Sequence, residues 1–154
     1  MPIIDARLKE LGITLSSPPK PVASYVPYTI SGNLVFISGQ VPFQDGALKY
    51  VGKLGADFSV GMGQAAAQLC AINVLSVLKL ACGGDLDKVV RCVKLNVFVN
   101  ATPDYDKQPE VANGASDLFV AVFGDAGKHA RAAVGMGSLP RGVAVEVDAT
   151  FEIK

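Results

Sequence analysis

From Val143 to Ile153 the chain alternates almost without a break. Val143, Val145, Val147, Ala149, Phe151 and Ile153 share one face, and Glu146, Asp148, Thr150 and Glu152 share the other. A period of two held over that length is a half-buried strand, apolar side inward and polar side turned away. Val89 to Val99 repeats the pattern, with Val93, Leu95, Val97 and Val99 opposed to Lys94, Asn96 and Asn100. Strands of this kind need sheet neighbours and an apolar layer on one side. The layer is legible too. Ala67, Ala71, Val74, Leu75, Leu78, Ala81 and Cys82 recur at helical spacing, and Gly83-Gly84 ends the run. Leu69, Ile72, Val77 and Leu80 widen that stripe, as expected of a helix covered on more than one side.

The remaining elements fall around these. Tyr25, Tyr28 and Ile30, the turn Ser31-Gly32-Asn33, and Leu34 to Ser38 predict a β-hairpin. A short strand is expected near Tyr50 to Lys53, and another from Ala130 to Met136. Thr102-Pro103-Asp104 is a helix start, continued by Val111, Ala115, Leu118, Phe119 and Val122 and stopped by Gly124. At the front, Ile3, Ile4, Leu8 and Leu11 make a short amphipathic helix that Gly12 ends, and Ser16 to Pro21 reads as an extended connector. The expected organisation is therefore a helix and Pro-rich connector over 1–21, then one domain over 22–154. Its class is α+β: a two-layer mixed sheet with two helices on one face. The other face would carry Lys94, Asn96, Glu146 and Asp148 as a subunit interface.

Composition narrows the function classes. The 154 residues carry 14 Lys+Arg and 14 Asp+Glu, so a formal charge of zero argues against broad phosphate-backbone binding. Only 18% of residues are charged while 50% are hydrophobic, a balance suited to a subunit that hides part of its surface in an oligomer. The most apolar stretch, Ala65 to Cys82, is interrupted by Gln68, Asn73, Ser76 and Lys79, which argues against a membrane span. The charged N-terminus lacks the apolar run of a signal peptide, so a cytoplasmic location is expected. Cys70, Cys82 and Cys92, with one histidine and no CxxC, suggest neither a metal cage nor a disulfide framework; no cofactor is expected.

No P-loop, GxGxxG or GxSxG is present, and Gly61-Met62-Gly63 lacks the third glycine of a nucleotide loop. His129 is the sole imidazole, which removes two-histidine nuclease chemistry. Arg131 stands out among small residues, Ala130-Arg131-Ala132-Ala133. A guanidinium so flanked can grip a carboxylate or phosphate bidentately, or pair structurally with Glu146 or Asp148 on a neighbouring strand.

His129-Ala130-Arg131-Ala132-Ala133-Val134, followed by Ser138-Leu139-Pro140-Arg141-Gly142 and Val143-Ala144-Val145-Glu146-Val147, resembles the C-terminal signature of the Rid family (YjgF-type, long called endoribonuclease L-PSP). Tyr25, Ser38-Gly39-Gln40-Val41-Pro42, Asn96-Val97-Phe98-Val99 and Asn113 agree in order and spacing. The resemblance spans about residues 22–154, and the leading helix is similar to that of a longer branch. It implies a chorismate-mutase-like fold, a homotrimer, and ligand clefts between subunits. It further implies hydrolysis of reactive enamines and imines of the 2-aminoacrylate type to 2-keto acids and ammonia. By the same resemblance Arg131 grips the substrate carboxylate and Glu146 stands near the attacking water. Tyr25 lines the cleft from the neighbouring subunit, Gly39 and Ala133 offer main-chain contacts, and Asn113 lies nearby. Ala133 departs from the cysteine common in the deaminase branch, Ala23-Ser24 replaces Gly-Pro before Tyr25, and Gly135 and Gly137 stand where bulkier residues are common. A non-catalytic trimeric binder of small carboxylates is the alternative reading, and an endoribonuclease ranks third.

Overall fold

The computed structural model describes residues 2–18, 20 and 24–154. Pro19 and Pro21 of the expected connector, and Val22 at the expected start of the main domain, lie outside them. The elements run α1 (Ile3–Glu10), β1 (Tyr28–Ser31), β2 (Leu34–Gln40), β3 (Phe43–Gln44), β4 (Ala47–Leu48), α2 (Val60–Ala81), β5 (Val89–Asn100), α3 (Gln108–Phe123), β6 (Ala130–Met136) and β7 (Val145–Ile153). Five strands form one mixed sheet in the order β1-β2-β7-β5-β6. Among the described residues the β5–β6 pair is the parallel one in this sheet, and α3 is the crossover that a parallel pair requires. α2 and α3 cover one face, giving the two-layer α+β architecture of the chorismate-mutase-like fold.

β7 behaves as its pattern dictates, but in β5 a register shift between Cys92 and Lys94 buries Cys92 and leaves Val93 half-buried, and Asn100, expected on the outer face, is buried. Val145, Val147, Ala149 and Phe151 of β7 are buried under the helices beside Leu95, Val97 and Val99 of β5 and Val35 and Ile37 of β2. Phe119 of α3 meets Phe151 edge-on, with ring centroids 5.4 Å apart. The hairpin forms in the register Tyr28↔Ile37 to Ser31↔Leu34. The opposite sheet face is uncovered among the described residues. It presents Phe36 and Val134, 43% and 42% exposed, together with Asn96, Glu146 and Asp148.

Two local expectations are corrected. Tyr50–Lys53 is not a strand: it makes a single bridge, Val51↔Val143, while Tyr50 and Gly52 adopt positive φ values that break the extended path. The small hairpin beside it is β3–β4, turning on Asp45-Gly46 with φ of 53° and 80°. The second helix starts at Gln108 rather than at Thr102-Pro103. Thr102 is held by Leu54 through a main-chain bond, which keeps this stretch in a loop.

α2 is capped by the Ser59 hydroxyl, which accepts from the Met62 N–H. The helix is long and apolar enough to cross a membrane, because its five polar residues, Gln64, Gln68, Asn73, Ser76 and Lys79, are spread along an otherwise apolar stretch. Here it packs against the sheet and α3, with Ala67, Ala71, Val74 and Leu78 fully buried. Close approach to α3 depends on Gly114, where a Cβ would strike the carbonyl of Gln64. α1 is docked as well. Its first N–H groups, from Ile3 and Ile4, donate to the Asp87 carboxylate at 2.9 Å each, and Leu8 enters the core.

Candidate functional site

Arg131 lies on β6 opposite Leu95 of β5, whose side chain faces the helices, so the guanidinium is turned toward α3. There its Nη1 donates to Asn113 Oδ1 at 2.8 Å and to Ser116 Oγ at 3.1 Å. Asn113 and Ser116, three apart on α3, share the helix surface that meets β6. Both Nη1 hydrogens are thus used, while Nε and Nη2 have no hydrogen-bond acceptor among the described residues. That edge offers two parallel N–H groups, the geometry that takes a carboxylate side-on. No carboxylate among the described residues lies within ion-pairing distance of it. The structural pairing with Glu146 or Asp148 is therefore not made, because β5 separates β6 from β7.

Glu146 is found elsewhere. It alternates with Val145 and Val147, so it projects from the uncovered face, two strand spacings (about 10 Å) from β6. It sits against Gly39, where β2 breaks register with β7 between Ile37 and Gln40. A Cβ on Gly39 would collide with Glu146 Oε2, so glycine is what lets the carboxylate lie over that backbone. Partial burial, and then the nearby Asp148 charge, push the Glu146 carboxyl above its usual range. Asp148 itself accepts from Asn96 Nδ2 at 2.8 Å.

The candidate residues therefore form two groups. Arg131, Asn113 and Ala133 lie on the helix-facing side at the β6 edge; Ala133 is half-buried against the core, opposite Val97. Glu146 and Gly39 lie together at the β2–β7 seam. Tyr25 lines, with Gly39, a groove of about 660 Å³ whose lining does not include Glu146. Leu69, Ile72 and Val77 of α2 also line it, as do Ser16, Ser17 and Lys20. Tyr25 is 59% exposed. Ser38 and Gln40 act locally: the Ser38 hydroxyl donates to the Val26 carbonyl, and Gln40 Nε2 donates to the Ser38 carbonyl. At Gly135, where bulkier residues are common, an added Cβ would lie 2.9 Å from Gln108 Nε2, whereas Gly137 has open space.

Two residues behind Arg131 were not assigned a role from sequence. Ser116 Oγ lies 2.9 Å from His129 Nε2, and His129 Nδ1 lies 2.7 Å from the Gly127 carbonyl. The spacing Asn113-x-x-Ser116 on one helix face was the available signal. Among the described residues no group of three or more His, Cys, Asp or Glu is placed to hold a metal ion.

The comparisons agree with this architecture. The family described as "YjgF/chorismate_mutase-like, putative endoribonuclease" matches residues 5–146. Protein TCP17 of Trypanosoma cruzi is 50% identical over 97% of this chain and 94% of its own length. The crystal structure of Atu1372 from Agrobacterium tumefaciens, a protein of unknown function, superposes with a TM-score of 0.92 at 51% identity, covering 99% of this chain and 94% of that one. The YjgF protein of E. coli superposes with a TM-score of 0.65 at 26% identity, covering 90% of this chain and 94% of that one. With one fold, one matched profile and half its residues shared with a full-length relative, the chain belongs to the YjgF/chorismate mutase-like family.

Proposed function

We propose that the protein hydrolyses small carboxylate-bearing imines and enamines to 2-keto acids and ammonia, in clefts between the subunits of a homotrimer. The observation that carries this reading is the state of Arg131: Nη1 is anchored to α3, and the Nε/Nη2 edge has no carboxylate on it among the described residues. A cation held in place and left without an internal counter-ion is suited to an anionic ligand. The acid belongs to the other group, on the other side of the sheet. A neighbouring subunit supplies it, with Tyr25 and the Gly39 main chain beside it.

The chemistry asks for little machinery. An enamine tautomerises to an imine, water adds to the imine carbon, and the resulting amino alcohol expels ammonia to leave the keto acid. Arg131 fixes the carboxylate and with it the position of the electrophilic carbon. Glu146 accepts a proton from the attacking water and returns one to the departing nitrogen. A carboxylate whose pKa is raised above its usual range is a better base for the first step and, once protonated, an acid for the second. The main-chain groups at Gly39 and Ala133 line the cleft.

Ala133 favours a second reading, a trimeric carboxylate binder without turnover, because no thiol stands at that position. A coupled assay separates the two. A PLP-dependent threonine or serine dehydratase releases the imine, and absorbance follows keto-acid formation. Wild-type protein is expected to accelerate release and Arg131→Ala to abolish the effect; no acceleration at any protein concentration overturns the hydrolase. Calorimetry with 2-oxobutanoate and pyruvate then tests the binder, and sedimentation equilibrium tests the trimer.

A further inference from the structure

Ser116 and His129 have no part in the reaction just described, yet they are tied to its cation by a chain of hydrogen bonds with one consistent direction. The Gly127 carbonyl can only accept, so His129 Nδ1 carries a hydrogen and donates to it across 2.7 Å. In a neutral ring Nε2 is then an acceptor, and the Ser116 hydroxyl, 2.9 Å away, must donate to it. With its hydrogen so committed, Ser116 Oγ presents only lone pairs to Arg131, and Nη1 donates into them at 3.1 Å. The Phe119 ring meets the imidazole edge-on, with centroids 6.2 Å apart, and helps hold its plane.

We propose that Ser116 and His129 are positioning residues for Arg131. The imidazole orients the hydroxyl, the hydroxyl orients Nη1, and the guanidinium is thereby turned so that its Nε/Nη2 edge faces the ligand. The inference rests on the carboxylate role proposed for Arg131 and adds a specific device to it. Asn113 alone would leave the guanidinium free to rotate about one hydrogen bond; a second anchor on the same nitrogen fixes its plane. A serine whose hydrogen were free to turn toward Arg131 would be a poor second anchor. The imidazole removes that option.

His129 is the sole histidine of the chain, so its ring nitrogens can be read without assignment ambiguity. Long-range ¹H–¹⁵N correlation spectra of the ¹⁵N-labelled protein in alkaline buffer are expected to show a protonated Nδ1 and an unprotonated, hydrogen-bonded Nε2. The opposite tautomer overturns the relay. Titration with 2-oxobutanoate is expected to move the Nε2 resonance in the wild type. Ser116→Ala is expected to weaken 2-oxobutanoate binding about tenfold, the loss of one hydrogen bond to a charged group, and to silence the Nε2 response. Ser116→Thr, which keeps the hydroxyl, restores both. His129→Gln, which can offer an amide oxygen to the hydroxyl, retains binding, and His129→Phe does not. Wild-type affinity in Ser116→Ala and His129→Phe overturns the proposal. If the wild type binds neither 2-oxobutanoate nor pyruvate, the carboxylate role of Arg131 falls. The relay is then judged by Arg131→Ala alone: an unmoved Nε2 resonance in that variant refutes it.

Discussion

Gly114 is where α3 touches α2, and replacing it tests how closely the two helices are packed. In an exposed helix interior, glycine to alanine gains up to about 1 kcal/mol from backbone entropy. At Gly114 that gain meets a collision. The new Cβ would strike the carbonyl oxygen of Gln64 and lie 2.7 Å and 2.8 Å from its carbonyl carbon and Cα, all main-chain atoms that no rotamer change can move aside. Overpacking of this kind costs about 1–3 kcal/mol, and with backbone as the obstacle the upper part of that range applies. The net expectation for Gly114→Ala is a loss of about 1–2 kcal/mol, or a fall in melting temperature of roughly 3–6 °C for a chain of this size. Gly61→Ala is the matched control. Gly61 is exposed in the first turn of α2, and its nearest neighbour to an added Cβ is Ser59 Oγ at 3.9 Å. It should be neutral or stabilising by up to about 1 kcal/mol. Urea unfolding at one fixed protein concentration measures both. Gly114 also lies between Asn113 and Ser116, so a displaced α3 should weaken carboxylate binding through Arg131, and Gly61→Ala should not. A Gly114→Ala midpoint at or above wild type, with an unchanged denaturant slope, would refute the packing argument.

Glu146 has its carboxyl raised by burial and by Asp148, so between its unfolded and folded pKa values the native state binds more proton than the unfolded chain. Its contribution therefore falls as pH rises through that window, and Glu146→Gln should gain stability relative to wild type from about pH 4 upward, read from urea midpoints across a pH series. An unchanged difference would remove the carboxyl's perturbed state. Burial pushes the Cys92 thiol up to about 12, and Cys70 and Cys82 are raised by the same cause. All three thiols should resist a disulfide-exchange reagent in the native protein and react together only on unfolding; rapid native labelling of any one would contradict its burial. Asn100 is 3% exposed, accepts from Lys53 Nζ at 2.7 Å and donates to the Val143 carbonyl at 3.1 Å. Asn100→Ala should cost about 2 kcal/mol by stranding these partners, a loss below about 0.5 kcal/mol in urea unfolding being the contrary result.

The elements that sequence revealed are those whose pattern is enforced by burial on one side. β7 and β5 alternate because α2 and α3 cover only one face, and α2 shows its stripe because β7 lies beneath it. The hairpin was legible through Ser31-Gly32-Asn33, a turn whose chemistry is local. Tyr50–Lys53 misled because the positive φ values of Tyr50 and Gly52 break the extended path, leaving one bridge from Val51 to Val143 in place of a ladder. Thr102-Pro103 misled because a helix start needs a chain free to enter it, and Thr102 is bound to Leu54. At the site, Arg131 was visible as a cation among small residues. Its anchor was not, since Asn113 and Ser116 meet Arg131 and His129 only when the crossover lays α3 along β6. That Arg131 and Glu146 lie on opposite faces was implicit in strand parity, yet it could be read only once β5 was known to lie between their strands.

The thickness of a single sheet separates the guanidinium from the acid, and this has a genetic corollary. If clefts are completed across subunits, a chain lacking Arg131 and a chain lacking Glu146 are each inert alone, and for different reasons. Assembled together, they would rebuild working clefts wherever an intact cation meets an intact acid, in roughly a quarter of positions when the two mix at random and in equal amounts. Recovery from a mixture of two dead proteins is behaviour that no site contained within one chain could imitate.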